Sequence, residues 1–576
     1  MTTPGGLLLA LAVIVPFVGV LAGFTLGGRN AQRVAMVTIV AGLGIAIAVA
    51  AAMQRTGGGL VYLLGGWAPP LGIALRADGP ALVMMLAVAV VIVGIGVYAC
   101  ADFGTPAGVR EARAPLVFWT LLLAIWGALN LVLVSGDLFT LYVALELLTF
   151  AAVPLVSLDG KAETLQSALR YLLYALLGSV FYLLGAVLLY GAYGTLDIAL
   201  LAARIRPGPA TLAAAALMTG GLLAKTALVP LHLWLPPAHA GAPAAASAVL
   251  SGLVIKGSWF LVVRLWFDVL PGVLTGPSAQ LLGALGAAAI LLGNVVALRQ
   301  ARLKLLVAYS TVAQIGYLFL MFPLAFGGAA LARESALAGG MLQAISHATA
   351  KAAMFMAAGL IYKALGHDRI AGLAGVGRAL PLCVLTFVLA GVALMGLPPS
   401  GAYVAKKLLL GAAAETGQWW WDAVMQAGGL LTASYVVLVL AHALVPGAAA
   451  VKPRALVSRL AEAAALALAL CSLALGLAAG SAGVPDVLSG ALSPAALGGA
   501  LVLIVGGALV ASALADRLPP LPAGGFAAFG RPVRRTTLVV AAALARTDGV
   551  LRLWPVAGLS LVALVVAFGA ALMARG

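Results

Sequence analysis

Apolar residues along this chain fall in long unbroken runs. They do not alternate as in strands or form the narrow stripes of water-facing helices. Runs of about twenty residues, the length that crosses a hydrocarbon core as a helix, recur from end to end. Spans are predicted near 5–24, 34–53, 80–100, 116–135, 137–157, 165–193, 208–229, 243–266, 277–298, 303–325, 336–361, 380–398, 422–446, 460–480, 496–514 and 555–574. Shorter apolar segments at 230–240 and 402–413 follow Gly/Pro punctuation and read as second halves of broken helices. The stretch GGLVYLLGGWAPPLGIALRADG (58–79) is too short and too rich in Gly and Pro to span and reads as an outward hairpin cap. The region 515–554 is basic and only partly apolar, with room for a helix along the membrane surface. The expected fold class is an all-α polytopic membrane protein.

Composition sharpens this reading. Of 576 residues, 64% are hydrophobic and 9% charged, with a mean hydropathy of +1.15. That leaves too little polar surface to cover a large soluble core. The ten-residue alternating segments of a membrane barrel do not occur. The opening MTTPGG lacks a positive n-region, so 5–24 is expected to be a retained first span. Cys100, Cys383 and Cys471 lie far apart in apolar stretches and make no CxxC or iron–sulfur spacing. No Rossmann fingerprint, Walker A loop or HExxH occurs. No cofactor or metal is therefore expected on the chain.

The net charge of +16 acquires meaning once the lysines and arginines are sorted by loop. One set of alternate loops holds about twenty of them and the other about six, so the first set is assigned to the cytoplasm. Both termini then face the periplasm of a bacterial inner membrane. The charge reads as topology, and nucleic acid is not an expected partner.

Without the loop residues, a short series of ionisable groups remains at membrane depth: Glu146, Lys225, Lys256, His347, Lys351, Lys406 and Lys407. Such groups are costly unless paired or hydrated, and a set spread over several helices marks an ion or proton path. Lys225 is the natural partner for Glu146. It precedes Val229-Pro230, and proline removes a helix hydrogen bond, freeing carbonyls that need polar partners or water. His232 extends this polar site; His239 either joins it or reaches the interface. Gln343, His347 and Lys351 fall at i, i+4 and i+8 on one helical stripe, and Ser310, Gln314 and Tyr317 form another. The second stripe either holds ordered water or packs helices together. Lys406 follows the break at Pro398 and Pro399; Lys407 is turned about 100° away, so one of the two is expected to face the path.

Spans four to eight and nine to thirteen make two five-helix units, and an odd helix count inverts one relative to the other, a known transporter design. The expected organisation is 1–115 (helices 1–3 with the hairpin), 116–266 (first inverted repeat), 277–446 (second) and 447–576 (C-terminal helices with a basic connection).

SGDLFTLYVALELLTF, AKTALVPLHLWLPPAHAGAP, SGLVIKGSWFLVVR, RLKLLVAYSTVAQIGY, HATAKAAMFMAAG and LPPSGAYVAKKLLL together resemble the antiporter-like proton-conducting membrane subunits. These occur in Mrp-type cation/proton antiporters, complex I and membrane-bound hydrogenases. The resemblance covers about residues 60–450. It implies about fourteen core helices with two inverted five-helix repeats and breaks in helices 7 and 12, leaving about two extra C-terminal helices. It also implies a proton relay. Glu146 pairs with Lys225, Lys256 is the eighth-helix residue, His347 and Lys351 are eleventh-helix positions, and Lys406 lies near an exit. Pro237 and Gly241 stand where the family often carries acids.

The expected function is proton translocation as a subunit of a multisubunit Mrp-like monovalent cation/proton antiporter. The alternatives are a pumping subunit of a redox complex, such as complex I or a membrane hydrogenase, and a proton-flux subunit in inorganic-carbon uptake. Expected partners are other membrane subunits, protons, a coupled Na+ or other monovalent cation, and lipid. With one deep carboxylate, the chain offers a proton path and not the oxygen cage of a sodium site.

Overall fold

The computed structural model is described for residues 2–326, 328–446, 454–481, 493–514 and 531–574. A helix stands at every expected span. Thirteen helices among the described residues are long and apolar enough to cross a membrane, and Pro381–Met395 and Gly498–Ser512 are shorter apolar ones. The chain is an all-α, multi-pass membrane protein. Helices Ala244–Val269 and Ala330–Leu365 are buried along their apolar windows, whereas Leu7–Leu26 and Trp554–Met573 expose most of theirs.

The 58–79 stretch is a hairpin. Strands Leu60–Leu63 and Ala74–Ala77 pair antiparallel, with Leu60 opposite Ala77 and Leu63 opposite Ala74. Asp78 then caps helix Gly79–Ala99 by accepting the Ala81 N–H. The basic C-terminal connection contains helix Arg531–Leu551; its preceding part, 515–530, and the basic residues Lys452 and Arg517 lie outside the described residues.

The chain divides into two compact units. The first comprises Met1–Ala227, Gly241–Ser278 and Gly558–Gly576; the second comprises Leu228–Ala240 and Ala279–Ala557. Each has helices that meet backbone to backbone at glycine, and in each a glycine of one helix faces a glycine of another. In the first unit, a Cβ on Gly178 would lie 2.7 Å from the Gly221 carbonyl oxygen; in the second, one on Gly286 would lie 2.7 Å from that of Gly316. In lipid, where apolar surface gains little by leaving the solvent, such close packing supplies the dispersion that holds helices together.

Each unit also has a helix that stops inside its apolar run. The span expected over 208–229 ends at Thr226, because Ala227 turns left-handed (φ 58°) and its N–H returns to Ala224 and Leu223. Ala227 is the one non-glycine with positive φ among the described residues, a conformation costing about 1–2 kcal/mol for an L-residue. Pro381–Met395 ends likewise at Gly396 (φ 68°). The chain resumes as Leu235–Gly241 after the first break and Gly401–Glu415 after the second, close to the expected 230–240 and 402–413. Ala244–Val269 holds a feature the sequence did not signal: it widens into π turns at Leu250–Val254 and Leu265–Val269.

Candidate ion-path residues

In the first unit, the last turn of helix Pro209–Thr226 brings Lys225 against helix Leu138–Val156. Lys225 Nζ donates to Glu146 Oε1 at 3.1 Å, to Thr149 Oγ1 at 2.8 Å and to the Leu145 carbonyl at 3.3 Å. These three acceptors match the three protons of an ammonium. Ser179 donates to the same Glu146 oxygen. The lysine side chain is 5% exposed and the glutamate 14%, so the pair is largely desolvated. Beside it lies a cavity of about 10 Å³, bordered by Thr149, Tyr171, Lys225 and Ser258, near the lower limit for one water. Thr226 continues the polar line by donating to Ser258 at 3.1 Å.

Two residues from Ser258, Lys256 is buried and donates to the Ser251 carbonyl at 2.5 Å. Ser251 lies in the first π turn. There the ladder shifts from i+4 to i+5 bonding, as it often does at functional sites, and the wider turn lets a backbone oxygen meet the ammonium.

The second unit joins the two predicted stripes like rungs. Lys351 donates to Ser310 and, at 3.2 Å, to the Val307 carbonyl. Gln343 Nε2 donates to Gln314 Oε1 at 3.1 Å. His347 lies buried between Gln343 and Lys351 on their helix. Gln314 in turn donates to the Leu394 carbonyl at 3.1 Å. In an unbroken helix that carbonyl would accept the N–H of residue 398, but residue 398 is proline, which has none. The break thus places an unpaired carbonyl where a stripe glutamine satisfies it.

A second cavity of about 10 Å³ lies among Gln314, Tyr317, Gln343 and Lys406. Lys406 Nζ donates to Gln426 Oε1 at 3.0 Å. Lys407 is exposed, its ammonium 5.1 Å from the centroid of the Tyr403 ring. The 100° rotation therefore does separate the two lysines. No group of three His, Cys, Asp or Glu side chains placed to hold a metal occurs among the described residues.

The breaks also position the histidines. His239 is buried and stacked on Phe355, ring centroids 4.6 Å apart. His232 is fully buried, its Nε2 2.8 Å from Asp548 Oδ1. Asp548, itself 3% exposed along its side chain, also accepts from Tyr309 at 2.8 Å and pairs with Arg552 at 3.0 Å. Burial raises the Asp548 carboxyl, but the His232 hydrogen bond and charge, Arg552 and Tyr309 outweigh it and hold it below the ordinary carboxylate range. Sequence reasoning missed this acid because it sits in the basic connection, outside every apolar run. The available signal was a lone Asp among arginines on a strongly amphipathic segment. Where Pro237 and Gly241 leave the first break without nearby acids, a segment 316 positions away from His232 supplies one.

Residues 135–432 match the transmembrane family described as NADH:quinone oxidoreductase/Mrp antiporter. The NADH-quinone oxidoreductase subunit N of Desulforudis audaxviator is 34% identical over 401 residues, 68% of this chain and 78% of that protein. A Na+/H+ antiporter subunit of Alkalihalophilus pseudofirmus is 28% identical over 74% of this chain and 84% of its own length. A chain of the Mrp complex from Dietzia sp. DQ12-45-1b superposes with a TM-score of 0.72 at 25% identity, over 89% of this chain and 98% of that one. With more than half its length matched, the chain belongs to the NADH:quinone oxidoreductase/Mrp antiporter family as an antiporter-like membrane subunit.

Proposed function

We propose that this chain moves protons through the membrane as the ion-translocating subunit of a multisubunit, Mrp-like monovalent cation/proton antiporter. One observation carries the reading: the desolvated Glu146–Lys225 pair, held at 3.1 Å, with Thr149 accepting from the lysine and Ser179 donating to the glutamate, directly before a helix break. A buried pair of this kind can exist charged or, after an internal proton transfer, neutral. A change in a neighbouring charge shifts the balance between the two forms. Lys256, His347, Lys351 and Lys406 are the further stations, with His232, Ser310, Gln314, Tyr317 and Gln343 orienting them or holding water. Pro230, Pro398 and Pro399 keep the path polar by denying the helix its own hydrogen bonds. In this reading residues 116–266 and 277–446 are inverted repeats, each supplying half of the path. The partners are other membrane subunits, the transported ions are protons and a monovalent cation, and the chain itself carries no cofactor.

A second reading, a pumping subunit of a redox-driven complex, is favoured by the 34% identity to an NADH-quinone oxidoreductase subunit. The same residues would serve a different driving reaction. Extraction from native membranes in mild detergent, with mass spectrometry of what co-purifies, separates the two. Small hydrophobic subunits without cofactors are expected; stoichiometric iron–sulfur or nickel proteins would refute the antiporter assignment.

A further inference from the structure

The relay accounts for groups near mid-membrane but leaves a charged cluster at the hairpin end of the first unit without a role. A cavity of about 430 Å³ opens there, bordered by the hairpin, Ser135, Ala202, Arg264 and Asp268. Arg264 grips both carboxylate oxygens of Asp78, with Nη2 2.6 Å from Oδ1, and also reaches Asp268 at 2.7 Å. Arg76 on the wall is balanced by Asp197 at 3.4 Å. Two carboxylates against Arg264 leave the mouth with one net negative charge, which favours cations and the protons of water. Burial raises the Asp78 carboxyl, but the Arg264 hydrogen bonds and charge and the Ala81 N–H prevail and hold it below the ordinary range, so the clamp stays ionised at neutral pH.

Arg264 lies on the same helix as Lys256. Lys256, Phe260 and Arg264 follow one another at intervals of four residues on the regular stretch Ile255–Arg264, so they share a face. Helical side chains lean towards the N-terminus. The Phe260 ring therefore covers the surface between the two cations, with the Arg264 guanidinium 4.9 Å from its centroid. Lys256 and Arg264 are about 12 Å apart along the axis, and Phe260 between them is fully buried.

Resting on the proton-path reading, we propose that this cavity is the outward mouth of the first unit's path. Phe260 is the plug that separates its water from Lys256, and Asp78 and Asp268 hold Arg264 over that plug. Removal of the ring connects mouth and lysine; the ion pairs keep the helix end from swinging away from the hairpin.

Thiol accessibility in the intact complex in native membranes tests this independently of transport. In a background with Cys100, Cys383 and Cys471 replaced by serine, Lys256→Cys and Ala202→Cys are treated with a membrane-impermeant methanethiosulfonate from one face at a time. Ala202→Cys is expected to react from the outer face. Lys256→Cys should be protected, and Lys256→Cys/Phe260→Ala should react from that same face about tenfold faster or more. Lys256→Cys/Phe260→Leu, which keeps an apolar plug, should stay protected and serves as the folding control. Unchanged protection in the alanine variant, or reaction from the inner face, would overturn the proposal. If labelling follows this pattern but the complex moves no protons, the mouth stands and the proton reading falls. If labelling fails while Glu146 and Lys225 variants lose transport, the reverse holds.

Discussion

Replacing Lys225 with methionine keeps most of the side chain's length and removes its charge. A unit pair at 3.1 Å in an effective dielectric of about 20 attracts by about 5 kcal/mol before desolvation is subtracted. Lys225→Met leaves Glu146 with Ser179 as its remaining donor in the described network, and stranding a buried charge in this way costs about 3–5 kcal/mol. Glu146→Gln strands the ammonium in the same manner. The double variant removes both charges, so its stability should return to within about 1 kcal/mol of wild type, a coupling of about 5 kcal/mol or more. Unfolding of the purified complex in mixed micelles gives these stabilities, and proton uptake into inverted vesicles gives the activity. The double variant is expected to be stable and inactive, a combination that a structural brace would not produce. Near-wild-type proton uptake in the double variant would refute the relay, and additive losses without coupling would refute the energetics of the pair.

Other residues separate path from scaffold. Lys406→Ala should block proton flux, whereas Lys407→Ala, which loses only an exposed ammonium near Tyr403, should lower it by less than about twofold; equal losses would show that helix face does not select between them. Asp548→Asn removes the charge that His232, Tyr309 and Arg552 surround. A hydrogen bond to a charged group contributes about 1.5–3 kcal/mol, so amides in 538–551 should exchange with deuterium about ten- to a hundredfold faster. Because the folded Asp548 carboxyl titrates below its ordinary value, its contribution is present above about pH 4 and lost as pH falls through the lower folded value. Wild-type protection, the intrinsic rate divided by the exchange rate at each pH, should therefore fall only in acid, and Asp548→Asn should lose that dependence; protection identical to wild type at neutral pH would show that the carboxylate does not hold this helix.

The order of the spans, the two breaks and the deep ionisable residues follow from local properties. An apolar run of sufficient length has to satisfy its backbone internally and becomes a helix in lipid. Proline removes a donor from the ladder, and where it stands beside Gly or a second Pro, as in 396–399, the break is legible, although a lone proline such as Pro16 is carried inside helix Leu7–Leu26; a lysine flanked by apolar residues is conspicuous without knowledge of the fold. The stripe spacing was legible for the same reason, since Gln343, His347 and Lys351 share a helix face whatever that face meets.

Partnership was a different matter. Glu146 and Lys225 are 79 positions apart, and they meet only where the lysine's own helix, Pro209–Thr226, is packed in the bundle, its Gly221 backbone against Gly178 of helix Ala162–Tyr193. Ser251 meets Lys256 through a π turn that hydrophobic periodicity does not encode. Asp548 becomes a buried counter-charge only after a polar, basic segment has folded back on His232 and Tyr309. Which groups need a partner can be read along the chain, because the cost of an ionisable side chain in an apolar run is local. Which partner each one finds is set by packing, because distance and desolvation depend on how helices far apart in the chain come together.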